Sequence, residues 1–375
     1  KLDRKLRNFG IFHPSTEGNV DEVVLDNGTV LLGISTHGAK PGVMRLKDYR
    51  TYHGAPLLLS DPERSRFDHK FFLGTADVST ADLFFTVESR DSISVRMKAH
   101  TTDPDKWIAI TYRLDSIGYF FNSELELHGL KEEVDPGSLT FTWELEGFNN
   151  EKYLPAERQK STVFYKYNHS DRDYLSETSD ATEDLNGQVN WVAFKQDFFT
   201  AAVISDKGFA SSGGRVSIAE SQDSTHNKKY TAKLGFDADR DAVVKLPLRF
   251  YLGPNHYNTL RRTGIEQFDR IIDLGWGIFG WMNRWLVIPI FNFLGRFNLS
   301  YGIIILVLTI AIKVLLLPLT YRNQRSSARM RALKPEMDAV NEKYKDGDAL
   351  KKQQAVMELY RKAGVNPAAG CWPML

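Results

Sequence analysis

The longest apolar stretch of this 375-residue chain runs from Leu299 to Leu319. Its length matches the roughly 20 residues that a helix needs to cross the hydrocarbon core of a bilayer. Its only charged residue is Lys313, and Thr309 lies one turn earlier on the same helical face. A lysine at this depth costs about 3 kcal/mol and usually faces a polar cavity. We therefore predict a membrane-spanning helix in which Lys313 and Thr309 face a polar groove.

Two other interpretations of this stretch stay open. It could be a core helix of a large soluble protein, although flanking residues such as Tyr301, Tyr321 and Arg322 are typical of interfacial anchors. Alternatively, the Lys313 side chain could extend toward the headgroups, because Tyr321 is only about 12 Å further along a helix. Pro318 is expected to end the helix or to kink it.

Short β-rich runs replace this pattern between residues 20 and 255, and turn signals separate them. Asn27-Gly28, between two apolar runs, is the strongest short signal for a hairpin. Because no long helical pattern interrupts the series, we predict a large antiparallel sandwich whose sheets bury their inner faces on each other. The polar stretch from Tyr165 to Gly187 is predicted to be a loop or an insertion.

Residues 256–298 mix aromatic, glycine and charged positions, and they include Trp276, Trp281 and Trp285. This composition predicts an amphipathic element that lies in the membrane interface, with the three tryptophans as anchors. The alternative is a linker helix packed on the sandwich.

Beyond the span, apolar residues at spacings of three and four predict two helices joined by a turn at Asp346-Gly347-Asp348. The first apolar stripe comprises Met330, Leu333, Met337, Val340 and Tyr344, and the second comprises Leu350, Val356, Met357, Tyr360 and Ala363. We predict an antiparallel helical hairpin with Lys351 and Lys352 on a docking surface. An ordinary solvated helix surface is, however, the commoner role of such a charge run.

Charge is distributed unevenly along the chain, although 48 basic residues nearly balance 47 acidic ones. The overall charge therefore gives no indication of nucleic-acid binding. Residues 321–365 are rich in lysine and arginine, which marks the cytoplasmic side of a span and puts the sandwich outside the cytoplasm. The single cysteine, Cys371, excludes an internal disulfide framework. From the charged start KLDRKLR we expect an upstream signal or anchor, and from the apolar GCWPML the start of another membrane segment.

Motifs for covalent chemistry are absent from the sequence. Gly275, Gly277 and Gly280 match G-x-G-x-x-G, but the strand and the acidic residue of a dinucleotide-binding unit are missing around them. The sequence has no phosphate-loop motif, no His-Glu-x-x-His and no Cys/His cluster with metal-ligand spacing. We predict no catalytic residue, no metal and no cofactor.

Several segments resemble the YidC-type membrane protein insertases, in the bacterial form with a large periplasmic domain. They are YGIIILVLTIAIKVLLLPLTYRNQRSSARMRALKPEMDAVNEKY, LYRKAGVNPAAGCWPML, YLGP, IIDLGW and WVAFKQDFF. The resemblance covers nearly the whole chain and is strongest from Tyr251 onward. At the position where the family commonly has a groove arginine, this chain has Lys313, which keeps the charge but loses the planar five-donor guanidinium.

The resemblance implies a mixed fold: an antiparallel β-supersandwich periplasmic domain, related to sugar mutarotases, plus an α-helical membrane region with a cytoplasmic helical hairpin. It implies five segments of the chain. These are a periplasmic sandwich at 1–255, an interfacial helix and linker at 256–298, a transmembrane helix at 299–320, a hairpin at 321–365 and the start of the next transmembrane segment at 366–375.

The implied function is insertion and folding of nascent inner-membrane proteins, alone or with the Sec translocon, through a hydrophilic groove that carries a positive charge. The implied partners are nascent membrane proteins, the Sec translocon, the ribosome and the lipid bilayer, with no DNA. The implied location is the bacterial inner membrane, as a multi-pass protein that is not an enzyme. The alternative is a membrane-anchored periplasmic domain that binds carbohydrate or acts as a mutarotase.

Overall fold

The computed structural model describes residues 8–74, 76–238, 241–297, 299–343 and 349–364. The chain divides into two compact units after Ile272, the first built mainly from antiparallel strands and the second from helices. The predicted fold class is therefore confirmed. The expected turn at 346–348, the stripe residue Tyr344 and the segment 366–375 lie outside the described residues.

The strands of the first unit form three antiparallel sheets. Their bounds are β1 Glu22–Asp26, β2 Val30–Ser35, β3 Lys40–Arg50, β4 Pro56–Leu58, β5 Arg66–Leu73, β6 Ala76–Ser79, β7 Thr86–Arg90, β8 Ser94–His100, β9 Trp107–Leu114, β10 Phe120–His128, β11 Thr140–Phe148, β12 Thr162–Tyr167, β13 Arg172–Tyr174, β14 Ala181–Leu185, β15 Val189–Lys195, β16 Phe199–Ile204, β17 Gly214–Glu220, β18 His226–Gly235 and β19 Val243–Pro254. A nine-stranded sheet has the order β13-β12-β15-β16-β19-β10-β9-β8-β7, a six-stranded sheet β14-β17-β18-β11-β5-β6, and a four-stranded sheet β1-β2-β3-β4.

Strand β11 shows how the alternating pattern builds the core between the two large sheets. Its residues are buried at every second position, as expected for a strand with one face on a core. Trp143 on β11 packs on Phe194 of the nine-stranded sheet, with ring centroids 4.7 Å apart. Phe67 on β5 meets Phe250 of β19 at 5.3 Å. The six-stranded and nine-stranded sheets thus face each other across an aromatic core.

The predicted hairpin at Asn27-Gly28 is confirmed, because β1 and β2 pair in antiparallel register with Asp26 opposite Leu31. Gly28 has a φ of +88°, a conformation that glycine adopts without steric cost.

The loop predicted from Tyr165 to Gly187 is partly wrong. Strand β12 continues to Tyr167, and the short strands β13 and β14 lie within the range. Both are edge strands whose residues are mostly exposed, so they need few apolar side chains. Because these two strands are polar, they lack the apolar pattern from which a strand is predicted.

The helices include one short helix within the first unit and one directly after its last strand. Their bounds are α1 Leu154–Gln159, α2 Tyr257–Arg262, α3 Gly277–Met282, α4 Ile288–Gly295, α5 Tyr301–Ala332, α6 Lys334–Lys343 and α7 Ala349–Lys362, with a π-helical turn at Asn283–Val287 joining α3 and α4. Residues 257–271, comprising α2 and the turn after it, are called the strap below.

The strap packs on the outer face of the nine-stranded sheet. Leu260, Phe268 and Ile271 are buried there, in a second apolar cluster with Trp191 and Tyr251. This cover explains why all six residues of β16 are buried although one face points away from the main core. The strap therefore belongs with the sandwich, and the compact unit ends at Ile272 and not at 255. The alternative of a packed linker helix applies to this part of residues 256–298.

The strap runs along the sheet from one end of β16 to the other. Its start follows Pro254, which pairs with Phe199 at the beginning of β16. At its far end, the Trp191 indole donates to the Glu266 carbonyl, and Trp191 pairs with Ile204 at the end of β16. The buried Lys166 ammonium lies 3.3 Å from the Glu266 carboxylate. These contacts fix both ends of the strap to one sheet.

Helix α5 continues without a break through Pro318 to Ala332, so the proline does not end it. Beyond it, the Tyr360 hydroxyl lies 2.9 Å from the Met337 sulfur, which joins α6 and α7 as the predicted hairpin requires. Met357, expected in this seam, is instead 54% exposed. Leu359 is half-buried in its place, because it lies one turn from Val356 on the same helical face.

Candidate functional site

Lys313 and Thr309 lie on α5, the one described helix that is long and apolar enough to cross a membrane. Its segment Tyr301–Pro318 has a mean hydropathy of 2.4. The Thr309 hydroxyl donates to the Ile305 carbonyl at 2.7 Å, so this threonine is satisfied within its own helix. The exposed Lys313 ammonium has no hydrogen bond or ion pair among the described residues. Within the described residues, this apolar segment therefore contains one cation without a partner.

A further polar residue, Thr320, falls on the same face as Thr309 and Lys313, because it follows Lys313 by two helical turns. Its hydroxyl donates to the Leu316 carbonyl at 2.9 Å. Gly302, two turns before Thr309, leaves this face open at the other end of the span. The sequence analysis noted Thr320 only as part of a motif. The seven-residue spacing to Lys313 was the signal that could have identified it as part of the stripe.

The three predicted anchors are strongly exposed; Trp276 lies just before α3, Trp281 within it and Trp285 just after it. Trp276, Trp281 and Trp285 expose 82%, 63% and 64% of their surface, respectively. Asn283 donates to the Leu274 carbonyl at 2.8 Å, which closes the segment on itself. Exposed tryptophans at this density are unusual on a water-soluble surface and are typical of membrane interfaces.

The two predicted docking lysines differ in environment. Lys351 is exposed at the start of α7, whereas Lys352 is half-buried. Nearer the end of α7, Lys362 pairs with Glu358 at 2.9 Å. Only Lys351 of the predicted pair thus points freely to solvent.

The sandwich contains a histidine–carboxylate cluster that the sequence analysis did not find. His226 Nε2 lies 2.9 Å from Asp61, and Nδ1 lies 2.9 Å from Asp223. The Arg64 guanidinium reaches Asp223 at 2.6 Å and Glu146 at 3.3 Å. These residues are up to 165 positions apart in the chain, so no local pattern could reveal them.

The chemistry of this cluster is that of a closed ion network. Hydrogen bonds from Thr225, His226 and Arg64 hold the pKa of Asp223 below its usual range. Glu146, Asp223 and His226 are close enough together to hold a metal ion, but an Arg64 nitrogen already lies among them. Both ring nitrogens of His226 face carboxylates, and Phe148 stacks on the ring, so the histidine is held on both edges and on one face.

Two family models match adjoining parts of the chain. The model described as YidC periplasmic domain matches residues 22–291, and the one described as 60Kd inner membrane protein matches residues 293–375. Among solved structures, a galactose mutarotase-like protein from Lactobacillus casei has a TM-score of 0.42 at 10% identity. It covers 62% of this chain and 100% of that protein. A galactose mutarotase related enzyme from Lactobacillus acidophilus has a TM-score of 0.39 at 11% identity, covering 62% of this chain and 97% of that protein.

Curated relatives match over nearly the whole chain. The membrane protein insertase YidC of Parabacteroides distasonis is 36% identical over 100% of this chain and 61% of its own length. That of Amoebophilus asiaticus is 33% identical over 98% of this chain and 63% of its own length. This chain thus spans about three fifths of the relatives that it matches. On the family-model matches and these identities, the chain belongs to the YidC family of membrane proteins.

Proposed function

We propose that this chain is part of an insertase that moves nascent proteins into the bacterial inner membrane, with Lys313 as the residue that receives the polar part of the substrate. The observation that carries the proposal is the unpartnered ammonium of Lys313 on an otherwise apolar span. The names of the relatives, all membrane protein insertases, support it.

The proposed mechanism is physical and involves no covalent step. A polar segment that crosses a bilayer loses its hydration, which costs several kcal/mol for each unsatisfied group. A hydrated groove part-way into the membrane shortens the apolar path and lowers this cost. Within it, a fixed positive charge attracts acidic residues of the substrate and releases them when the apolar segment enters lipid. Thr309 and Thr320 add polar surface on the same face of α5.

Complementation tests this function. The full-length gene that contains this chain is expressed in bacteria whose own insertase is depleted, and membrane integration of a single-span reporter is measured by protease protection. We expect integration and growth to be restored. An expressed, membrane-integrated protein that restores neither would contradict the proposal.

We propose that the sandwich lies in the periplasm and the hairpin in the cytoplasm, on a multi-pass protein. The excess of basic residues after Tyr321 supports this orientation. With Cys371 replaced by serine, a membrane-impermeant thiol reagent added to spheroplasts should label Lys207→Cys on the sandwich. It should label Glu342→Cys on α6 only after the membrane is opened. Labelling with the opposite sidedness would refute the orientation.

We propose that the hairpin docks the ribosome. We also propose that the Sec translocon and the substrate complete the assembly. The exposed Lys351 and its neighbour Lys352 support an electrostatic contact with an RNA surface. We expect Lys351→Glu with Lys352→Glu to weaken ribosome co-sedimentation about tenfold, with strong salt dependence.

The matched control for this variant is Lys131→Glu with Lys207→Glu, which applies the same charge change to exposed sandwich residues. Because Lys352 is half-buried, the helical content of the hairpin variant is checked by circular dichroism. Equal ribosome binding by the hairpin variant and the control would contradict the docking role and indicate that the two lysines are ordinary solvated surface.

The sandwich is proposed to have no catalytic role. The closed network around His226 supports this, since its nitrogens are already engaged by Asp61 and Asp223.

A further inference from the structure

A cleft of about 670 Å³ opens where the four-stranded sheet meets the end of the nine-stranded sheet. Its walls include Asp21, Glu22 and Val23 at the start of β1, and Thr86 and Val87 on β7. We call this space the edge cleft. Its volume lies within the range of roughly 300–1,000 Å³ that is typical of ligand sites.

Both strands that flank the edge cleft are the outermost strands of their sheets. Among the described strands, β1 pairs with β2 alone, and β7 pairs with β8 alone. All five residues of β7 are exposed. Within the described residues, the backbone bonds of β7 and of Glu22–Leu25 are confined to these two ladders. Each strand therefore presents an unpaired edge of N–H and C=O groups, which is a template for another strand.

The two edges are joined at both ends but not between them. At one end the Phe85 amide donates to the Thr36 carbonyl at 2.9 Å, and at the other the Asp26 amide donates to the Ser92 carbonyl at 2.9 Å. These bonds hold the two sheets together on either side of an opening of about five strand residues. The cleft is therefore built into the sheet junction and does not depend on a loop.

The charges around the edge cleft are mostly acidic. Glu17, Asp21 and Glu22 are exposed along one side, and Arg90 is the one arginine among the lining residues, which include no lysine. One exposed apolar side chain accompanies them, Val87, which exposes 40% of its surface. This combination suits a segment that carries both β-branched and basic side chains.

We propose that the edge cleft binds an extended polypeptide segment bearing lysine or arginine, which adds as a strand to the free edge of β7 or β1. Main-chain hydrogen bonds supply affinity in this mode, and the flanking side chains supply selectivity. The acidic side chains Asp21 and Glu22 select a basic segment by charge complementarity. The proposal concerns the sandwich alone and does not depend on the insertase activity.

The test uses the full chain in detergent and a fluorescein-labelled peptide, acetyl-KVTVKVTVK-amide, with binding measured by fluorescence anisotropy. Two comparison peptides are acetyl-EVTVEVTVE-amide, which reverses the charge, and acetyl-KVPVKVPVK-amide, which keeps the charge but removes two amide donors. We expect the lysine–valine–threonine peptide to bind at least about tenfold more tightly than either. Equal binding of the proline peptide would overturn strand addition.

Variants locate the site. Asp21→Lys with Glu22→Lys should weaken binding about tenfold, whereas Glu132→Lys with Glu183→Lys, the same charge change at exposed positions elsewhere, should leave it unchanged. Arg90→Glu should strengthen binding, a gain that misfolding cannot produce. If Arg90→Glu brings no gain, or if both double variants weaken binding equally, the site is not the edge cleft. Hydrogen exchange should slow in β1 or β7 on binding, and slowing only in other strands would likewise overturn the assignment.

Discussion

Replacing Lys313 by alanine is expected to reduce membrane integration of substrates with acidic translocated tails by at least about tenfold, because one ion-pair interaction of about 1.4 kcal/mol is lost. Lys313→Arg should retain most activity, since it keeps the charge at the same position on α5. Substrates without charges in the translocated tail should be affected much less. The measurement is protease protection of matched reporters in cells depleted of their own insertase.

The control for the Lys313 variants is Leu315→Ala, two residues along the same helix. Leu315 is exposed like Lys313 but is apolar. It lies about 160° around the helix axis from Lys313, away from the polar face. Full activity of Lys313→Ala on every acidic-tailed reporter would remove Lys313 from the mechanism. A loss of the same size for Leu315→Ala would indicate damage to the helix and not to a charge.

The sandwich is expected to lose stability as the pH falls from about 6.5 to 4 because of His69. This histidine is fully buried among Phe67, Phe141 and Phe236, and burial lowers its pKa to about 4 from the usual 6.5. The nearby carboxylate of Asp68 opposes this shift only partly. Because the unfolded chain takes up the proton first, acidification favours unfolding, by up to about 3 kcal/mol at pH 4.

The variant His69→Phe should remove this pH dependence while fitting the aromatic surroundings. Among the described residues, neither ring nitrogen of His69 has a hydrogen-bond partner, so the change leaves no partner group unpaired there. Denaturant unfolding, followed through the buried tryptophans Trp143 and Trp191, is compared at pH 7.5 and pH 5. The control is the exposed His169→Gln, which should behave like the unsubstituted chain. If His69→Phe keeps the full acid sensitivity, its origin lies in other groups.

Local signals in the sequence were sufficient for the elements that depend on neighbouring residues. The Asn27-Gly28 hairpin follows from turn chemistry, and the span follows from the length of an apolar run with one charge at Lys313. The order of the sheets and the facing of β5 toward β19 depend on pairings between distant strands. No period within one strand specifies which other strand it meets.

The strap and the histidine cluster show the same limit at the level of single residues. Phe268 and Ile271 looked like part of an amphipathic interfacial segment, because an apolar stripe does not specify which surface will cover it. No local motif marks His226, because Asp61 becomes its neighbour only after the β4–β5 connection and β18 have come together. Thr320, by contrast, could have been identified as part of the polar stripe from its spacing to Lys313 alone. To find it, the polar face of the helix has to be extended by two turns beyond Lys313.

The course of the strap determines where a pulling force applied to the chain at Asp273 first acts on the sandwich. Tension applied along the chain from Asp273 reaches the strap before it reaches β19. It first meets the buried side chains of Ile271 and Phe268, and then the contacts of Glu266 with Trp191 and Lys166. Under moderate pulling we expect the strap, about fifteen residues long, to separate from the sheet before any strand of the sandwich is disturbed.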